Sequence, residues 1–232
     1  MLHPFEETAL LLSLKVAIVA VIIVVIPGIA AGWLLARREF RGKALFDGLV
    51  HLPLVVPPVV IGYLLLYLFS PSGPLGALLL DLTGYRIAFT WQGASLAAAI
   101  VSFPLLVRAI RLSIEAVDGG LEDAARTMGK SELTIFWRIT LPLSLPGLLA
   151  GLVLAFARAL SEFGATITFV ANLPGETRTL PIAIFSVLQS PGGEAAALRL
   201  SVLSVLLALA ALVASEWLAR RTRRRLGTGS HA

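Results

Sequence analysis

Cysteine is absent from the 232 residues, which excludes a disulfide framework, a thiolate metal site and a cysteine nucleophile. Histidine occurs three times, at His3, His51 and His231, too scattered to suggest a metal cluster by spacing. No paired histidines, H-E-x-x-H run or serine with a nearby base stands in any loop, so the chain carries no signature of an enzyme and implies no cofactor. Charge is scarce as well, at 14% of residues against an ordinary share of about 25%. What fills the space is apolar: 57% of the residues are hydrophobic and the mean hydropathy is +0.89. So little polar surface cannot cover so large a core in water, and so much apolar content excludes disorder. The composition is that of an integral membrane protein.

A hydrocarbon core of about 30 Å needs roughly 20 apolar residues per helix. That ruler predicts an all-α polytopic bundle with five strong spans, at Leu10–Ala36, Leu49–Phe69, Ile87–Val107, Leu143–Val170 and Ala195–Leu218. A sixth stretch, Leu180–Leu188, is too short to span and reads as a half-helix or re-entrant piece. The first span lacks a basic leader and follows Glu6 and Glu7, unlike a cleaved signal segment. Lysine and arginine fix the expected orientation: 14 lie on one side of the spans and 2 on the other, Arg86 and Arg178. The basic side faces the cytoplasm, placing the N-terminus outside and the C-terminus inside. The run Arg220, Arg221, Arg223, Arg224 and Arg225 then reads as an anchor at the anionic lipid surface, with no nucleic acid involved.

Two features set this bundle apart from a passive membrane anchor or scaffold. Prolines fall inside or at the ends of spans, at Pro27, Pro53, Pro57, Pro58, Pro104, Pro142 and Pro146. Each frees a backbone carbonyl that lipid cannot satisfy, so such helices pack on protein or line a wet cavity. Glycines repeat at four-residue spacing, Gly28 with Gly32 and Gly147 with Gly151, a pattern that permits close helix approach.

The longest cytoplasmic connection, residues 108–142, reads as a folded projection. Asp118 is placed to cap a helix over Leu121–Met128 with acids in its first turn, and Gly129 to end it. Ser131 can cap a second short helix, with Leu133, Phe136 and Trp137 at i, i+3 and i+4 along one face. Gly129-Lys130-Ser131 mimics the end of a P-loop, but the first glycine of that motif would fall at Ala124 and no strand precedes it.

Asp123-Ala124-Ala125-Arg126-Thr127-Met128-Gly129, then nine residues, then Ile139-Thr140-Leu141-Pro142, resembles the EAA loop of ATP-binding-cassette importer permeases. In that family Glu-Ala-Ala is followed after three residues by Gly and after nine more by Ile-x-Leu-Pro. The chain departs at Asp123, where the family usually has glutamate. His51-Leu52-Pro53-Leu54-Val55-Val56-Pro57-Pro58-Val59-Val60-Ile61-Gly62-Tyr63 resembles the second span of molybdate-transport permeases. So do Phe103 to Arg111, Ser161 to Phe169 and Asn172 to Thr179. Sulfate and thiosulfate permeases share parts of these runs.

The resemblance implies a single permease domain over 1–232 with the type I importer fold, in a bacterial inner membrane. It also implies a homodimer, cytoplasmic ATP-binding subunits, and an extracytoplasmic oxyanion-binding protein; the loop with Glu176 and Arg178 reads either as its dock or as a solvated connection. The substrate it implies is molybdate, with tungstate and sulfate or thiosulfate as alternatives. The loop would be the coupling projection, with Asp123, Ala125 and Gly129 in contact with the ATPase subunit and the stripe Leu133, Phe136 and Trp137 beside them.

Within the fourth span, Arg158 and Glu162 stand four residues apart and can pair across one helix turn. Two readings stand: the pair flanks a translocation path near its gate, or it only neutralises itself and fixes packing. The hydroxyls of Ser161, Thr166 and Thr168 are candidate weak donors to a passing oxyanion. Arg199, near the outer end of the fifth span, is expected to snorkel to the interface.

Overall fold

The computed structural model describes residues 3–225, and every regular element among them is a helix. Helix α1 (Pro4–Arg37) opens with Pro4 at its first position. The Glu6 carboxylate reaches back to accept the His3 N–H at 2.9 Å. Helices α2 (Lys43–Val55) and α3 (Pro58–Phe69) occupy the second expected span but are bent by 108°. The run Leu49–Phe69 is therefore not one straight helix, and the tandem prolines are the cause. Val56 and Pro57 are extended, as residues before a proline tend to be, and Pro58 then opens α3 where its missing N–H costs nothing.

A short apolar helix, α4 (Pro74–Thr83), leads to α5 (Trp91–Glu115), which runs past the expected end at Val107 into the predicted loop. The projection holds α6 (Gly119–Thr127) and the four-residue α7 (Glu132–Ile135). A π turn, Phe136–Thr140, carries α7 directly into α8 (Leu141–Leu160). The second short helix of the projection is thus the first turn of a membrane span. Pro142 explains the turn: it has no N–H to give back along the helix, and the chain absorbs the missing bond by widening, with Leu141 N–H reaching Phe136 O.

The fourth expected span, Leu143–Val170, is also divided. It stops at Leu160 and resumes as α9 (Gly164–Val170). Helix α10 (Leu180–Leu188) has the bounds expected of the short segment, and α11 (Glu194–Arg225) closes the chain. Among the described residues four helices are long and apolar enough to cross a membrane, and the bent α2–α3 pair makes five if taken as one span. The side chains of the Arg220 to Arg225 run, and His231, lie outside the described residues.

Helix α5 is the hub, and its buried face carries Ala94, Ala97, Ala98 and Ala99. Both glycine pairs are used against it on adjacent strips. A Cβ at Gly28 or Gly32 would come within 2.8 Å of Leu106 or 2.7 Å of Ile110. On α8, Gly147 sits against Ser113, and a Cβ at Gly151 would come within 2.8 Å of Ala109. The core therefore joins α1, α5, α8, α3 and α9. Large apolar side chains on α2, α3 and α11, such as Leu49, Val55, Tyr63, Val205 and Leu209, stay exposed, as lipid or a partner helix requires.

Near the start of α1 the structure adds a partner for Arg199. Arg199, about half exposed, donates from its guanidinium to Glu6 at 2.9 Å, and the Glu6 carboxylate is fully buried. A carboxylate withdrawn from water needs a counter-charge, and this one ties α1 to α11. The Ser13 hydroxyl accepts the Leu180 N–H at 2.6 Å, which seats α10 on α1.

Candidate functional site

The projection is built by its caps. Asp118 accepts the Gly120 N–H at 2.9 Å, Gly129 turns the chain with φ +75°, and Ser131 accepts the Thr134 N–H at 3.3 Å. On α6, Asp123 is 73% exposed by its side chain and pairs with Arg126. Arg126 is also held by Glu132 at 2.6 Å. Those two carboxylates, Glu132 first, hold its guanidinium above an already high ordinary value. It is charged at any pH the protein meets.

The residues expected to form one docking surface are divided by the fold. Asp123 and Gly129 face solvent, while Ala125 is 3% exposed and turns towards its own chain. Leu133 and Trp137, 67% and 60% exposed, lie to one side with the half-buried Phe136. They line an apolar groove of about 590 Å³ between α1 and α8, together with Ile29, Trp33 and Leu145. Phe136 meets Trp33 edge-on at 6.1 Å and Trp137 at 5.4 Å. Because α7 runs into α8, the stripe continues down a span and not across the projection.

One residue of the projection does more than its sequence position as a first-turn acid suggests. Glu122 is buried, lies 3.1 Å from the Arg37 Nε at the end of α1, and accepts the Thr140 hydroxyl at 2.6 Å. Nothing local in the sequence links these three, since Arg37 is 85 residues away.

The second group gathers where α8 breaks. Arg158 and Glu162 do pair, at 2.8 Å, although the helix ends between them. The Glu162 side chain is 1% exposed, and its other oxygen accepts the Ala165 N–H at 2.8 Å. Glu162 thus closes α8 and opens α9, which is why the chain breaks at this point. Arg158 keeps part of its surface open. Ser161 is exposed and donates to Arg158 O at 3.1 Å.

The two threonines differ from expectation. Thr166 is buried and donates to Phe163 O at 2.9 Å, and Thr168 donates to Gly164 O at 2.8 Å. Their protons are committed to backbone carbonyls, as is that of the exposed Ser161, so in this conformation none of the three offers a free hydroxyl proton. Helix α9 rests on α3, where a Cβ at Gly62 would stand 2.8 Å from Thr168 and 2.5 Å from the Ala165 carbonyl oxygen. In the loop that follows, Arg178 donates to Asn172 at 2.7 Å and Asn172 to Ser186 at 2.7 Å, while Glu176 is exposed. Among the described residues no group of three His, Asp or Glu side chains is gathered closely enough to hold a metal ion.

Residues 28–224 match the family described as "Binding-protein-dependent transport system inner membrane component". The chain is 57% identical over 222 residues to the "Molybdenum transport system permease protein ModB" of Escherichia coli (strain K12), which covers 96% of this chain and 97% of that one. It is 36% identical over 216 residues to the "Sulfate transport system permease protein CysW" of Synechocystis sp., covering 93% of this chain and 78% of that one. Among solved structures it is similar to a bacterial ABC transporter involved in the import of the acidic polysaccharide alginate. The TM-score is 0.76 at 16% identity, over 95% of this chain and 80% of the other, and that likeness speaks for the fold alone.

Proposed function

Because the chain belongs to the family of binding-protein-dependent transport system inner membrane components, we propose that it is the permease subunit of an ATP-binding-cassette importer and that it carries molybdate across the membrane. Its fold is that of the type I importer permeases. The observation that carries the substrate is the 57% identity to a molybdenum permease along nearly the whole chain, against 36% to a sulfate permease.

The physics of the substrate supports a coupled machine. A dianion moving into a cytoplasm about 100 mV negative is opposed by about 4.6 kcal/mol, so a passive channel cannot concentrate it. We read the energy as coming from partner ATP-binding subunits, since Ala124 removes the one nucleotide-like motif of this chain. Two copies form the path, as one permease domain each over 1–232, in a bacterial inner membrane. The N-terminus lies outside and the basic side lies in the cytoplasm. On that reading Asp123 and Gly129 meet the ATPase, with Ala125 letting α6 sit close to its own bundle. Leu133, Phe136 and Trp137 flank the contact. The path runs past Arg158, Glu162 and Ser161, with Thr166 and Thr168 shaping its wall. An oxyanion-binding protein delivers substrate to the outer loops.

Uptake of labelled molybdate into vesicles holding the chain, its ATP-binding subunit and the binding protein tests the substrate. Uptake should persist in a large excess of sulfate and fall with tungstate, an oxyanion of the same shape. Uptake abolished by sulfate would move the chain to the sulfate carriers.

A further inference from the structure

We infer that Glu122 is the positioning residue that ties the projecting helix α6 to two spans at once, so that a movement of α6 is passed to α1 and α8 together. The inference rests on the reading of α6 as the helix that meets the ATPase. Helix α6 is nine residues long, and its inward face offers two buried side chains, Glu122 and Ala125. Alanine is too small to hold it, so the grip falls to the carboxylate.

That carboxylate is where three helix ends meet. Oε1 accepts the Thr140 hydroxyl at 2.6 Å and the Arg37 Nε–H at 3.3 Å, while Oε2 lies 3.1 Å from the same nitrogen. Arg37 is the last residue of α1, and its Nη2 also donates to Val117 O at 3.0 Å, in the link between α5 and α6. Thr140 is the last residue of the π turn that leads into α8. The same turn leaves Trp137 exposed while burying Thr140 against Glu122. Widened turns of this kind recur at working sites because they re-aim a side chain without ending the helix.

Arg126 also approaches Glu122, at 3.9 Å, but the other ion pairs of the projection are more exposed. Arg126 with Asp123 and with Glu132 is largely solvent-exposed, and such pairs break and re-form at little cost. A buried carboxylate cannot let go of its cation in that way. Beyond the joint, α1 and α8 both press glycines onto α5, so a pull on Glu122 moves packed helices as a body.

The test compares E122Q and T140V with the wild type in vesicles with the ATP-binding subunit and the binding protein, reading molybdate imported per ATP hydrolysed. E122Q keeps the volume and an acceptor for Thr140 but drops the ion pair with Arg37. T140V removes one hydroxyl from a side chain of the same shape. Both variants are expected to co-purify with the ATP-binding subunit. The imported-per-ATP ratio should fall about fivefold or more in E122Q and about twofold in T140V, the range expected of coupling residues. A merely structural role would lower yield and leave that ratio alone. An unchanged ratio in E122Q, or loss of co-purification in both variants, overturns the inference. Failure of the wild type to import any oxyanion would instead overturn the function beneath it.

Discussion

Replacing Glu162 by leucine is expected to destabilise the chain by about 3–5 kcal/mol, the cost of removing one partner from a buried ion pair. The variant strands the Arg158 guanidinium at a helix end within the membrane and leaves the Ala165 N–H without its acceptor. Thermal unfolding in detergent reads the loss directly. The double variant R158L/E162L should recover most of it, because two apolar side chains carry no desolvation penalty. A residue of about 1–2 kcal/mol should persist from the unsatisfied Ala165 N–H.

The same pair of variants separates the two roles open to these charges. Both Glu162 oxygens are occupied and its side chain is buried, so on the proposed reading it holds the break between α8 and α9 in the wall of the path. On the same proposed reading Arg158, which keeps open surface, is the member that meets the path. The double variant should therefore regain stability without regaining molybdate uptake. Recovery of both would reduce the pair to packing, and a stable single variant would contradict the burial argument.

Gly129→Arg is expected to cut co-purification of the ATP-binding subunit at least about tenfold, equivalent to about 1.4 kcal/mol of binding. Gly129 turns the chain at φ +75°, with nothing within 4 Å of a Cβ built on it. An L-residue held there is strained by about 1–2 kcal/mol, and the guanidinium adds bulk and charge to the open tip of the projection. Gly129→Asn separates the causes, since asparagine tolerates that conformation. It should keep the ATPase bound if bulk and charge are what matter. Wild-type recovery of the ATPase by the arginine variant would move the docking surface away from α6.

The parts of the molecule legible in the sequence are those decided by near neighbours. The caps at Asp118 and Ser131 and the turn at Gly129 stand where spacing puts them, and so does the short helix Leu180–Leu188. The four-residue spacing of Arg158 and Glu162 found its pair, though not the helix break between them. Hydropathy counts residues without regard to direction, so it ran through Pro57-Pro58 and through Ser161-Glu162-Phe163 alike. In the first case the information was present, because tandem prolines force an extended step. In the second the break depends on Glu162 folding back onto Ala165, a choice that closer packing on α3 rewards. The partner of Arg199 is hidden for another reason. Glu6 is 193 residues distant, and no local pattern announces such a contact. Glu122 was hidden for the same reason, since one acid in a first helical turn looks like any other until Arg37 and Thr140 arrive beside it.

The most direct measurement of the whole account is the accumulation ratio of labelled molybdate in sealed vesicles holding the chain, its ATP-binding subunit and the binding protein, with and without hydrolysable ATP. If this chain is the path and the partner is the engine, molybdate should rise above its outside concentration with ATP and stay at background without it. Omitting the ATP-binding subunit should abolish accumulation as well. Flux that stops at equal concentrations, or that proceeds without the ATP-binding subunit, would make the chain a channel or a self-sufficient carrier and contradict the account.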